Sequence, residues 1–505
     1  MNLTTILDMA NASHPDRNAL GSWYGGTTYL ELGEKAAHGS RVLTDLDAGT
    51  VVFLGINGPI LPVLTFSAAW AGIPIAPLNY RLPGDQLLAL VGRLERPVVV
   101  ADNDYLPTFA GSSITAMSVD EFESRLAATE PSAAPAEVDE DAVAVVLFTS
   151  GTTSAPKGVL LKHSNLVSYV LQTVDLGSAE ATDAALVSTP PYHIAGMGTI
   201  LTNVYAGRRM VYLADFSPAG WLDLVRTERI TSAMVVPTML ARIVEHLDGA
   251  PADTPDLRSV AYGGARMPLP VLERALTAFP DTGFVNAYGL TETSSTIALL
   301  GPDDHRAAMA DDDPSARARL TSVGRPVPGI EVLIRDENGN ATAPGDTGLL
   351  WVRGAQVSGH YLEQGSVLDD EGWFPTNDRA RLDEAGYLFI EGRADDTIIR
   401  GGENIAPAEV EDAVLTHPEV SEVAVVGLPD DEWGERIVAA VIRTPGSDLG
   451  ADEVRSWARK QVRGSRTPDD VVFVDDLPRT PTGKVVRRQL IAELTEMSTA
   501  TAGAL

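Results

Sequence analysis

The sequence contains no cysteine. Disulfide bonds, iron–sulfur clusters, cysteine-ligated zinc sites and cysteine nucleophiles are therefore excluded, and any catalysis must use other side chains. Basic residues are also scarce, since 38 Lys and Arg stand against 69 Asp and Glu and give a formal net charge of −31. Such an acidic chain lacks the positive surface that non-specific binding to nucleic acid or to an anionic membrane requires.

Long uninterrupted apolar runs are missing as well. The most apolar stretch, Val51–Leu78, is broken by Asn57, Gly58, Pro59 and Pro62, so we expect a strand–helix–strand unit and no integral membrane segment. The first residues have no basic segment followed by an apolar core, so we expect no secretory signal. These absences make a cytoplasmic enzyme the expectation.

The composition is that of a globular protein with a large core. Hydrophobic residues make up 44% of the chain and charged residues 21%, which excludes wholesale disorder. At roughly 150 residues per domain, a chain of 505 residues suggests about three domain-sized units.

The order of apolar segments predicts an α/β fold. Short apolar runs alternate with helix-like stretches over Met1–Leu300, which indicates two lobes built on parallel sheets with helices on their faces. After about Thr321, alternating apolar residues around the turn Glu337–Asn340 indicate a β-rich section of antiparallel strands. From about Asp396, the mixture of strand and helix patterns predicts a small α+β domain.

A segment rich in Ser, Thr and Gly, Thr149–Gly158, follows a predicted buried strand. Its hydroxyls and backbone N–H groups can hold phosphate oxygens, and Lys157 adds a positive charge. The spacing is not that of a Walker A loop, because Pro156 stands where that motif needs glycine. A plain surface loop is the alternative. The candidate phosphate ligands are Thr149, Ser150, Gly151, Thr152, Thr153 and Lys157.

A second polar segment, Asn286–Glu292, also stands at the end of an apolar strand. Open α/β sheets bind ligands at the carboxyl ends of their strands, so this segment is a candidate ligand site. Tyr288 could stack on a base, Thr291 could bind a phosphate and Glu292 could hold Mg²⁺. The alternative is a capped turn between a strand and a helix, with no ligand.

Three charged residues stand further along the chain. Asp378 and Arg393 suit the hydroxyls of a ribose, although each alone is better explained by a surface ion pair. Lys484 ends the segment Pro481–Lys484, a glycine-containing turn on which a lone lysine is usually solvated. Each residue alone is weak evidence, so the order of the motifs carries the argument.

The motifs are specific when they are taken together. The phosphate loop, Tyr-Gly-Leu-Thr-Glu, Asp378, Gly-Arg-Ala-Asp-Asp and Pro-Thr-Gly-Lys follow in an order and spacing that resemble the acyl-adenylate-forming superfamily over essentially the whole chain. The resemblance implies a large N-terminal domain, residues 1–393, and a small mobile C-terminal domain, residues 394–505. The segments that look most like the fatty-acyl and aryl-CoA ligase branch are Ile399–Ile405, Pro407–Glu411, Gly427–Asp430 and Trp433–Glu435.

The resemblance implies an ATP-dependent acyl-CoA synthetase. A carboxylate attacks the α-phosphate of Mg·ATP to give acyl-AMP and pyrophosphate, and CoA then displaces AMP to give the thioester. Lys484 would bridge the carboxylate and the α-phosphate, where negative charge builds, and Asp395 matches the hinge between the domains. The residues that the resemblance assigns to the nucleotide, the magnesium ion and the CoA arm are Gly263, Gly264, Ala265, Asn286, Ala287, Tyr288, Gly289, Thr291, Glu292, Asp378, Arg393, Gly401 and Gly402.

The segment Pro190–Gly196 matches the part of the family in which an aromatic–histidine pair borders the acyl site. His193 is a candidate gate or neighbour of the carboxylate, with a purely structural histidine as the alternative. The segments expected to line the pocket contain neither Lys nor Arg, which favours a monocarboxylic acid with an apolar or aromatic body over a dicarboxylic acid. These segments are Ile194–Ile200, Ala233–Met239, Tyr262–Ala265 and Gly289–Ile297.

Four residues depart from the pattern of the superfamily. Ser154 and Asn377 stand where glycine is usual, and Arg266 follows the Gly-Gly-Ala turn where proline is common. Arg400 adds a charge to the segment that would face CoA after the domain turns. It is either a ligand of a CoA phosphate or an ordinary surface residue.

Other functions stay open at this point. The chain could deliver the acyl group to an acyl carrier protein or another nucleophile, or activate a small non-carboxylate acid such as nitrite. A scaffold with a degenerate site is disfavoured by the joint presence of Lys484, Glu292, Asp378 and Arg393. The expected partners are a carboxylic acid, ATP and CoA, without nucleic acid or membrane, and both a monomer and a homodimer remain open.

Overall fold

The computed structural model describes residues 1–149, 156–311, 313–430, 432–480 and 483–502. The strands in these residues form four sheets, and the two largest are built mostly from parallel strands, which confirms the predicted α/β class. Parallel strands are apolar along their length because helices cover both faces of the sheet. Within the same residues, no helix is long and apolar enough to cross a lipid bilayer.

The first lobe alternates strands and helices. In chain order the elements up to residue 173 are α1 (Leu3–Ser13), β1 (Asn18–Ser22), β2 (Gly25–Thr28), α2 (Tyr29–Asp45), β3 (Thr50–Leu54), α3 (Ile60–Ala71), β4 (Ile75–Pro77), α4 (Gly84–Val91), β5 (Pro97–Ala101), β6 (Thr115–Ser118), α5 (Val119–Ala128), β7 (Val143–Thr149), β8 (Lys157–Lys162) and α6 (His163–Thr173). Of these, β1 and β2 join the sheet of the second lobe. Strands β3, β4, β5 and β6 pair in parallel, whereas β7 is parallel to β4 and antiparallel to β8. Every residue of β3 is buried, as its unbroken apolar sequence predicts.

The second lobe continues the alternation and ends in antiparallel strands. Its elements are β9 (Ala184–Val187), α7 (Ile194–Ala206), β10 (Arg209–Tyr212), α8 (Pro218–Thr227), β11 (Ser232–Val235), α9 (Pro237–Leu247), β12 (Ser259–Gly263), α10 (Leu269–Ala278), β13 (Gly283–Leu290), β14 (Ser295–Leu300), α11 (Pro302–Ala310), α12 (Pro314–Ala318) and β15 (Arg325–Pro326). The sheet runs in the order β15-β14-β13-β12-β11-β9-β10-β1-β2. Strand β13 is parallel to β12 and antiparallel to β14.

One apolar core joins the two large sheets. It contains Leu20 of β1 and Met210 of β10 from one sheet, and Phe53 of β3 from the other. Leu64 of α3 and Leu201 of α7 belong to the same buried cluster. The two lobes therefore share their interior, which holds the carboxyl ends of their strands in fixed relative positions.

A β-rich section follows the second lobe, as the sequence predicts. Its strands are β16 (Glu331–Arg335), β17 (Gly348–Arg353), β18 (His360–Tyr361), β19 (Gly365–Ser366), β20 (Phe374–Leu382) and β21 (Leu388–Arg393). Strands β16, β17, β20 and β21 form an antiparallel sheet. Strands β18 and β19 extend the sheet of the first lobe, because β18 pairs with β8.

The last part of the chain has a sheet and a core of its own. Its elements are β22 (Ile398–Arg400), β23 (Glu403–Ile405), α13 (Pro407–Leu415), β24 (Val420–Asp430), β25 (Gly434–Arg443), α14 (Ala451–Ala458), β26 (Asp470–Phe473) and α15 (Arg487–Ala502). The buried residues Val410, Val425, Val441 and Val454 belong to a cluster separate from the core of the two lobes. The 3₁₀ turn Ala394–Asp396 connects this part to β21.

Candidate active site

Several predicted site residues stand where a strand of a large sheet ends. Strand β13 leads directly into the 3₁₀ turn Thr291–Thr293, which carries Thr291 and Glu292. Its parallel neighbour β12 ends at Gly263, and β7 in the other lobe ends at Thr149. The carboxyl ends of strands are where open α/β sheets bind ligands.

The structure brings three of the predicted nucleotide ligands into direct contact. The hydroxyl of Tyr288 donates a hydrogen bond to Asp378, and Nη1 of Arg393 lies 3.2 Å from Oδ1 of the same carboxylate. Tyr288 comes from β13, whereas Asp378 and Arg393 are register partners on β20 and β21. The β-rich section thus supplies a carboxylate and a guanidinium that lie side by side against the second lobe.

Burial dominates the electrostatics of this group. Burial raises the pKa of Asp378, while Arg393, the hydroxyl of Tyr288 and Lys484 act in the opposite direction. Burial and the neighbouring carboxylate hold the pKa of Tyr288 well above its ordinary value. Tyr288 therefore remains a protonated hydrogen-bond donor at physiological pH, and the carboxylate keeps its partners.

Asn377, which replaces the usual glycine before Asp378, has a φ of 60°. This left-handed region favours glycine, and asparagine enters it more readily than most other residues. The substitution therefore keeps the backbone conformation that the position requires. The N–H of Asp378 then reaches the hydroxyl of Thr376 at 3.1 Å, which fixes the direction of the strand beside the carboxylate.

Lys484 stands on a tight turn that packs against the second lobe. The N–H of Gly483 donates to the carbonyl of Thr480 at 2.8 Å, and Gly483 has a φ of 81°. A Cβ atom on Gly483 would lie 2.4 Å from Oγ1 of Thr238 in α9. Only glycine combines this backbone conformation with so close an approach, so the turn before Lys484 is matched to the surface of α9.

Asp378 and Arg393 both act electrostatically on the ammonium group of Lys484. Desolvation and Arg393 lower the pKa of Lys484, whereas Asp378 and Asp396 raise it. Lys484 still has a solvent-exposed side. The neighbouring protein therefore desolvates the ammonium only in part. A lysine of the C-terminal part thus lies within electrostatic reach of the carboxylate–guanidinium pair of the β-rich section.

Glu292 is held by the segment that contains β18. The hydroxyl of Tyr361 donates to Oε1 of Glu292 at 2.8 Å, and the N–H of Ser358 donates to the carbonyl of Glu292 at 2.8 Å. The ring of Tyr361 also lies 5.5 Å from Nζ of Lys157. Sequence reasoning did not single out Tyr361, because nothing in its immediate neighbours indicates that the fold will bring it to Glu292.

Glu292 could bind a magnesium ion whose other ligands are substrate phosphates and waters. Magnesium takes hard oxygen ligands and is usually bound by one or two carboxylates together with substrate phosphates and waters. Among the residues that the structure describes, no group of three or more His, Asp or Glu side chains could hold a metal ion. A magnesium ion at Glu292 would therefore be completed by the phosphates of a bound nucleotide.

The predicted phosphate loop is held at both ends by strand pairing. Thr149, the last residue of β7, pairs with Lys157, the first residue of β8. The two ends of the loop are thus adjacent, and Lys157 faces the ring of Tyr361. The predicted ligands that lie outside the described residues are Ser150, Gly151, Thr152 and Thr153, together with the departure Ser154.

The predicted adenine segment lies along the pairing of β12 with β13. Gly263 pairs with Ala287, and a Cβ atom on Gly263 would lie 2.2 Å from the carbonyl oxygen of Ala287. Glycine is therefore required for the two backbones to approach this closely. Gly264 and Ala265 continue from the end of β12 as a turn, beside the strand that carries Tyr288.

The remaining predicted residues of β13 make contacts that hold the strand in place. The side-chain amide of Asn286 donates to the carbonyl of Ser322 at 3.0 Å. A Cβ atom on Gly289 would lie 1.7 Å from the carbonyl oxygen of Ser295 in β14. Both residues therefore fix the position of Tyr288 between them, whatever further contacts they make with a ligand.

His193 caps the start of α7 beside a group of tyrosines. Its ring lies 5.0 Å from that of Tyr192, which lies 5.7 Å from that of Tyr80. Burial lowers the pKa of His193 to about 4, so the imidazole is neutral at pH 7. His193 can therefore hydrogen-bond to a substrate but does not supply positive charge to a carboxylate.

Arg400 is engaged within the C-terminal part. It pairs with Asp469 at 2.7 Å, its side chain is only 13% exposed, and its guanidinium lies 4.9 Å from the ring of Trp433. It is therefore not an ordinary surface residue. The N–H of Gly401 donates to the carbonyl of Trp433 at 2.7 Å, and Gly402 completes the turn between β22 and β23.

The predicted hinge residue Asp395 lies in the turn Ala394–Asp396, which is tied to two helices of the C-terminal part. Asp396 pairs with Arg487, the first residue of α15, at 3.4 Å, and Arg487 pairs with Glu411 of α13 at 2.7 Å. Sequence reasoning did not single out Arg487 or Glu411. Only the packing of α13 near α15 brings them together.

Arg266 connects the second lobe to the C-terminal part. It donates to the carbonyl of Ala408 at 3.0 Å and forms an ion pair with Asp412. Both partners belong to α13. The residue that departs from the common proline is thus a contact between the two parts of the chain.

Two family models match the sequence. The model described as "AMP-binding enzyme" matches residues 7–362, and the model described as "AMP-binding enzyme C-terminal domain" matches residues 409–484. The first model alone covers well over half of the chain. The first model includes the second lobe and its predicted nucleotide residues, and the second model ends at Lys484.

Curated relatives cover nearly the whole chain. A feruloyl-CoA synthase from an Amycolatopsis species is 33% identical over 92% of this chain and 94% of its own. An indoleacetate–CoA ligase from Aromatoleum aromaticum is 30% identical over 98% of this chain and 99% of its own. The fatty acid–[acyl-carrier-protein] ligase ScoC from Streptomyces coeruleorubidus is 29% identical over 92% and 91%.

Solved structures agree with these relatives. The o-succinylbenzoate-CoA synthetase MenE from Bacillus subtilis, in complex with its acyl-adenylate intermediate, has a TM-score of 0.85, 27% identity and coverage of 96% and 97%. ATP-bound MatB from Rhodopseudomonas palustris has a TM-score of 0.87 at 26% identity, and apo MatB has a TM-score of 0.77 at 27%, each covering 98% of this chain and 100% of its own. The predicted membership of the acyl-adenylate-forming superfamily is confirmed, and the chain belongs to the AMP-binding enzyme family.

Proposed function

We propose that the protein is an ATP-dependent acyl-CoA synthetase that activates a monocarboxylic acid with an apolar or aromatic body. It is an AMP-forming acid–thiol ligase, and it uses ATP, Mg²⁺ and CoA. The relatives named as CoA ligases support this class, and the MenE complex supports an acyl-adenylate intermediate.

The observation that carries the proposal is the contact of Tyr288 and Arg393 with Asp378, together with the electrostatic interaction of Lys484 with Asp378 and Arg393. A carboxylate and a guanidinium suit the hydroxyls of a ribose, and the α-phosphate of a nucleotide lies next to its ribose. A lysine ammonium at that point can therefore reach the phosphate at which an acid would attack. The division into residues 1–393 and 394–505 is part of the proposal, because it places Lys484 in a domain that can move away from the nucleotide residues.

In the first half-reaction, an oxygen of the acid forms a bond to the α-phosphorus of ATP. The bond from that phosphorus to the bridging oxygen breaks, and pyrophosphate leaves with the electron pair. Two anions approach each other, so positive charge must be supplied where negative charge builds. Lys484 supplies it between the carboxylate and the α-phosphate.

The other residues hold the reactants in place for this step. The loop from Thr149 to Lys157 and the hydroxyl of Thr291 bind phosphate oxygens, and Asp378 with Arg393 binds the ribose. Glu292 holds the magnesium ion, which neutralises phosphate charge when bound. The adenine lies beside Tyr288, against the segment of Gly263, Gly264 and Ala265.

In the second half-reaction, the sulfur of CoA attacks the carbonyl carbon of acyl-AMP. The bond from that carbon to the phosphate oxygen breaks, AMP leaves, and the thiol proton passes to solvent. We assign Asp395 to the hinge about which residues 394–505 turn, and Gly401 and Gly402 to the passage of the CoA arm. The TM-score of this chain is higher against ATP-bound MatB, at 0.87, than against apo MatB, at 0.77.

The acid is assigned from the segments expected to line its pocket, which contain neither Lys nor Arg. Arg266 borders one of them, but its guanidinium is bound to Ala408 and Asp412 of α13. His193 is neutral. A second carboxylate on the acid would therefore lack a counter-charge, whereas an apolar or aromatic body needs none.

Transfer to an acyl carrier protein is the second candidate function, and the relative ScoC favours it. A panel of carboxylic acids tests both candidates: ATP–pyrophosphate exchange identifies the acid, and AMP release is then measured with CoA and with a phosphopantetheinyl carrier protein. We expect exchange with an apolar or aromatic monocarboxylic acid and AMP release with CoA. Turnover with the carrier protein alone would establish the second candidate, and absence of exchange with every acid would refute both.

A further inference from the structure

Arg266 forms a direct link between the predicted adenine segment and the C-terminal part. It follows Gly263, Gly264 and Ala265 at the end of β12, and it reaches the carbonyl of Ala408 at 3.0 Å and the carboxylate of Asp412. The link is partly shielded, with 38% of the Arg266 side chain and 49% of the Asp412 side chain exposed.

The helix that Arg266 contacts is connected to the turn that carries Lys484. Glu411, next to Asp412 on α13, pairs with Arg487 at 2.7 Å and also accepts a hydrogen bond from the N–H of Val425 at 2.8 Å. Arg487 begins α15, three residues after Lys484. The position of α13 thus determines where Lys484 lies relative to the nucleotide residues.

The contact compensates an unfavourable charge. Asp412 stands on α13 beside Glu409 and Glu411, which pair with Arg466 and Arg487 of the C-terminal part. The two glutamates act on Asp412 as like charges, and Arg266 acts on it as an opposite charge. Arg266 therefore supplies Asp412 with an opposite charge from the second lobe, which attracts the two acidic parts of the chain to each other at this contact.

We propose that Arg266 is a positioning residue for the first half-reaction, and that it holds α13, and through it Lys484, over the nucleotide site. The inference rests on the proposed function. Because Arg266 is fixed to β12 and its partners belong to α13, turning of residues 394–505 must break the contact. Arg266 therefore favours the arrangement for acyl-AMP formation over the arrangement for thioester formation.

Measuring the two half-reactions separately distinguishes a positioning role of Arg266 from a general effect on folding, because a folding defect would lower both rates. With ferulate as the probe acid, or indoleacetate if ferulate does not exchange, Arg266→Ala should lower ATP–pyrophosphate exchange by about three- to tenfold, as expected for a partly exposed ion pair with a charge-assisted hydrogen bond. Thioester formation from supplied acyl-AMP and CoA should be unchanged or faster. An equal loss in both half-reactions would overturn the proposal.

An exchange of charges tests the pairing itself. Arg266→Asp and Asp412→Arg should each lower exchange, and the double variant should recover part of the loss, although the bond to Ala408 is not restored. The matched control is Arg317→Ala, which removes an arginine from an ion pair with Glu273 inside the second lobe and should leave both half-reactions unchanged. A double variant no more active than the single variants would contradict the pairing.

Amide hydrogen exchange reports the contact without any acid. Because Arg266 bonds to Ala408 and Asp412 of α13, the Arg266→Ala variant should exchange the amides of α13 severalfold faster than the unsubstituted protein, and Arg317→Ala should leave them unchanged. Exchange of α13 that is independent of Arg266 would overturn the proposal. If the exchange depends on Arg266 but no acid is adenylated, the proposed function fails and the positioning contact stands.

Discussion

Replacing Lys484 with alanine should remove most of the acyl-AMP formation and spare thioester formation. The surrounding protein partly desolvates the ammonium, although Lys484 keeps exposed surface, and an effective dielectric constant of about 20 applies to such a position. At about 4 Å, one charge then contributes about 4 kcal/mol, or about a thousandfold in rate. Asp378 and Asp396 also interact with the ammonium of Lys484 and partly offset its charge. We therefore expect the rate of acyl-AMP formation to fall by about 10²- to 10³-fold.

Two assays measure the two halves of the reaction. ATP–pyrophosphate exchange reports acyl-AMP formation, and conversion of synthetic acyl-AMP and CoA to thioester reports the second step. Lys460→Ala is the control, because Lys460 belongs to the same part of the chain and its ammonium lies over the ring of Trp457. Equal loss in both steps, or a loss of exchange below about tenfold, would refute the reasoning.

The pH dependence of exchange gives the same prediction a second test. Lys484 acts as a cation, so exchange should fall at alkaline pH as the ammonium loses its proton. Desolvation and Arg393 lower the pKa of Lys484 from its ordinary value of 10.5, so the fall should begin at lower pH than for a solvated lysine. Asp378 raises this pKa, and Asp378→Asn should therefore move the fall to still lower pH. A shift to higher pH would contradict the arrangement.

Three further substitutions test other parts of the proposal. Asp395→Pro should spare pyrophosphate exchange and block thioester formation, with Asp395→Ala as control, and normal CoA turnover in the proline variant would remove the hinge assignment. Asn377→Ala should cost about 1 kcal/mol of stability in urea unfolding and Asn377→Gly almost nothing, because the φ of Asn377 is 60°; equal effects would contradict the strained conformation. His193→Asn should leave the shape of the exchange profile unchanged between about pH 5.5 and 8, because burial already lowers the pKa of His193 to about 4. A wild-type transition in that range that disappears in the variant would show that His193 titrates during the reaction.

The fold class could be predicted because its determinants are local. Runs such as Val51–Leu54 and Val143–Phe148 are short and apolar along their whole length, which favours strands of a sheet covered on both faces. The alternation with helices and the later change to antiparallel strands are equally visible in the chain. The order of the motifs then indicated the superfamily, which the family models confirm.

The contacts between site residues could not be predicted in the same way. The bond from Tyr361 to Glu292 and the ion pair of Arg266 with Asp412 depend on packing between elements that are distant in the sequence. Asn377 shows the difference most directly. The sequence marks it as a departure, but only the φ of 60° gives the reason why asparagine is tolerated there.

The turn that carries Lys484 belongs to the part of the chain that is proposed to swing. Pyrophosphate attack on acyl-AMP passes through the same transition state as its formation, so the same ammonium would accelerate both directions. If residues 394–505 turn about Asp395 as proposed, Lys484 would leave with them, and the back reaction would lose its catalyst while the intermediate is still bound. Because Lys484 stands on the turn that packs against Thr238, the domain motion would slow the reverse reaction of acyl-AMP with pyrophosphate. The acyl group would then pass to CoA.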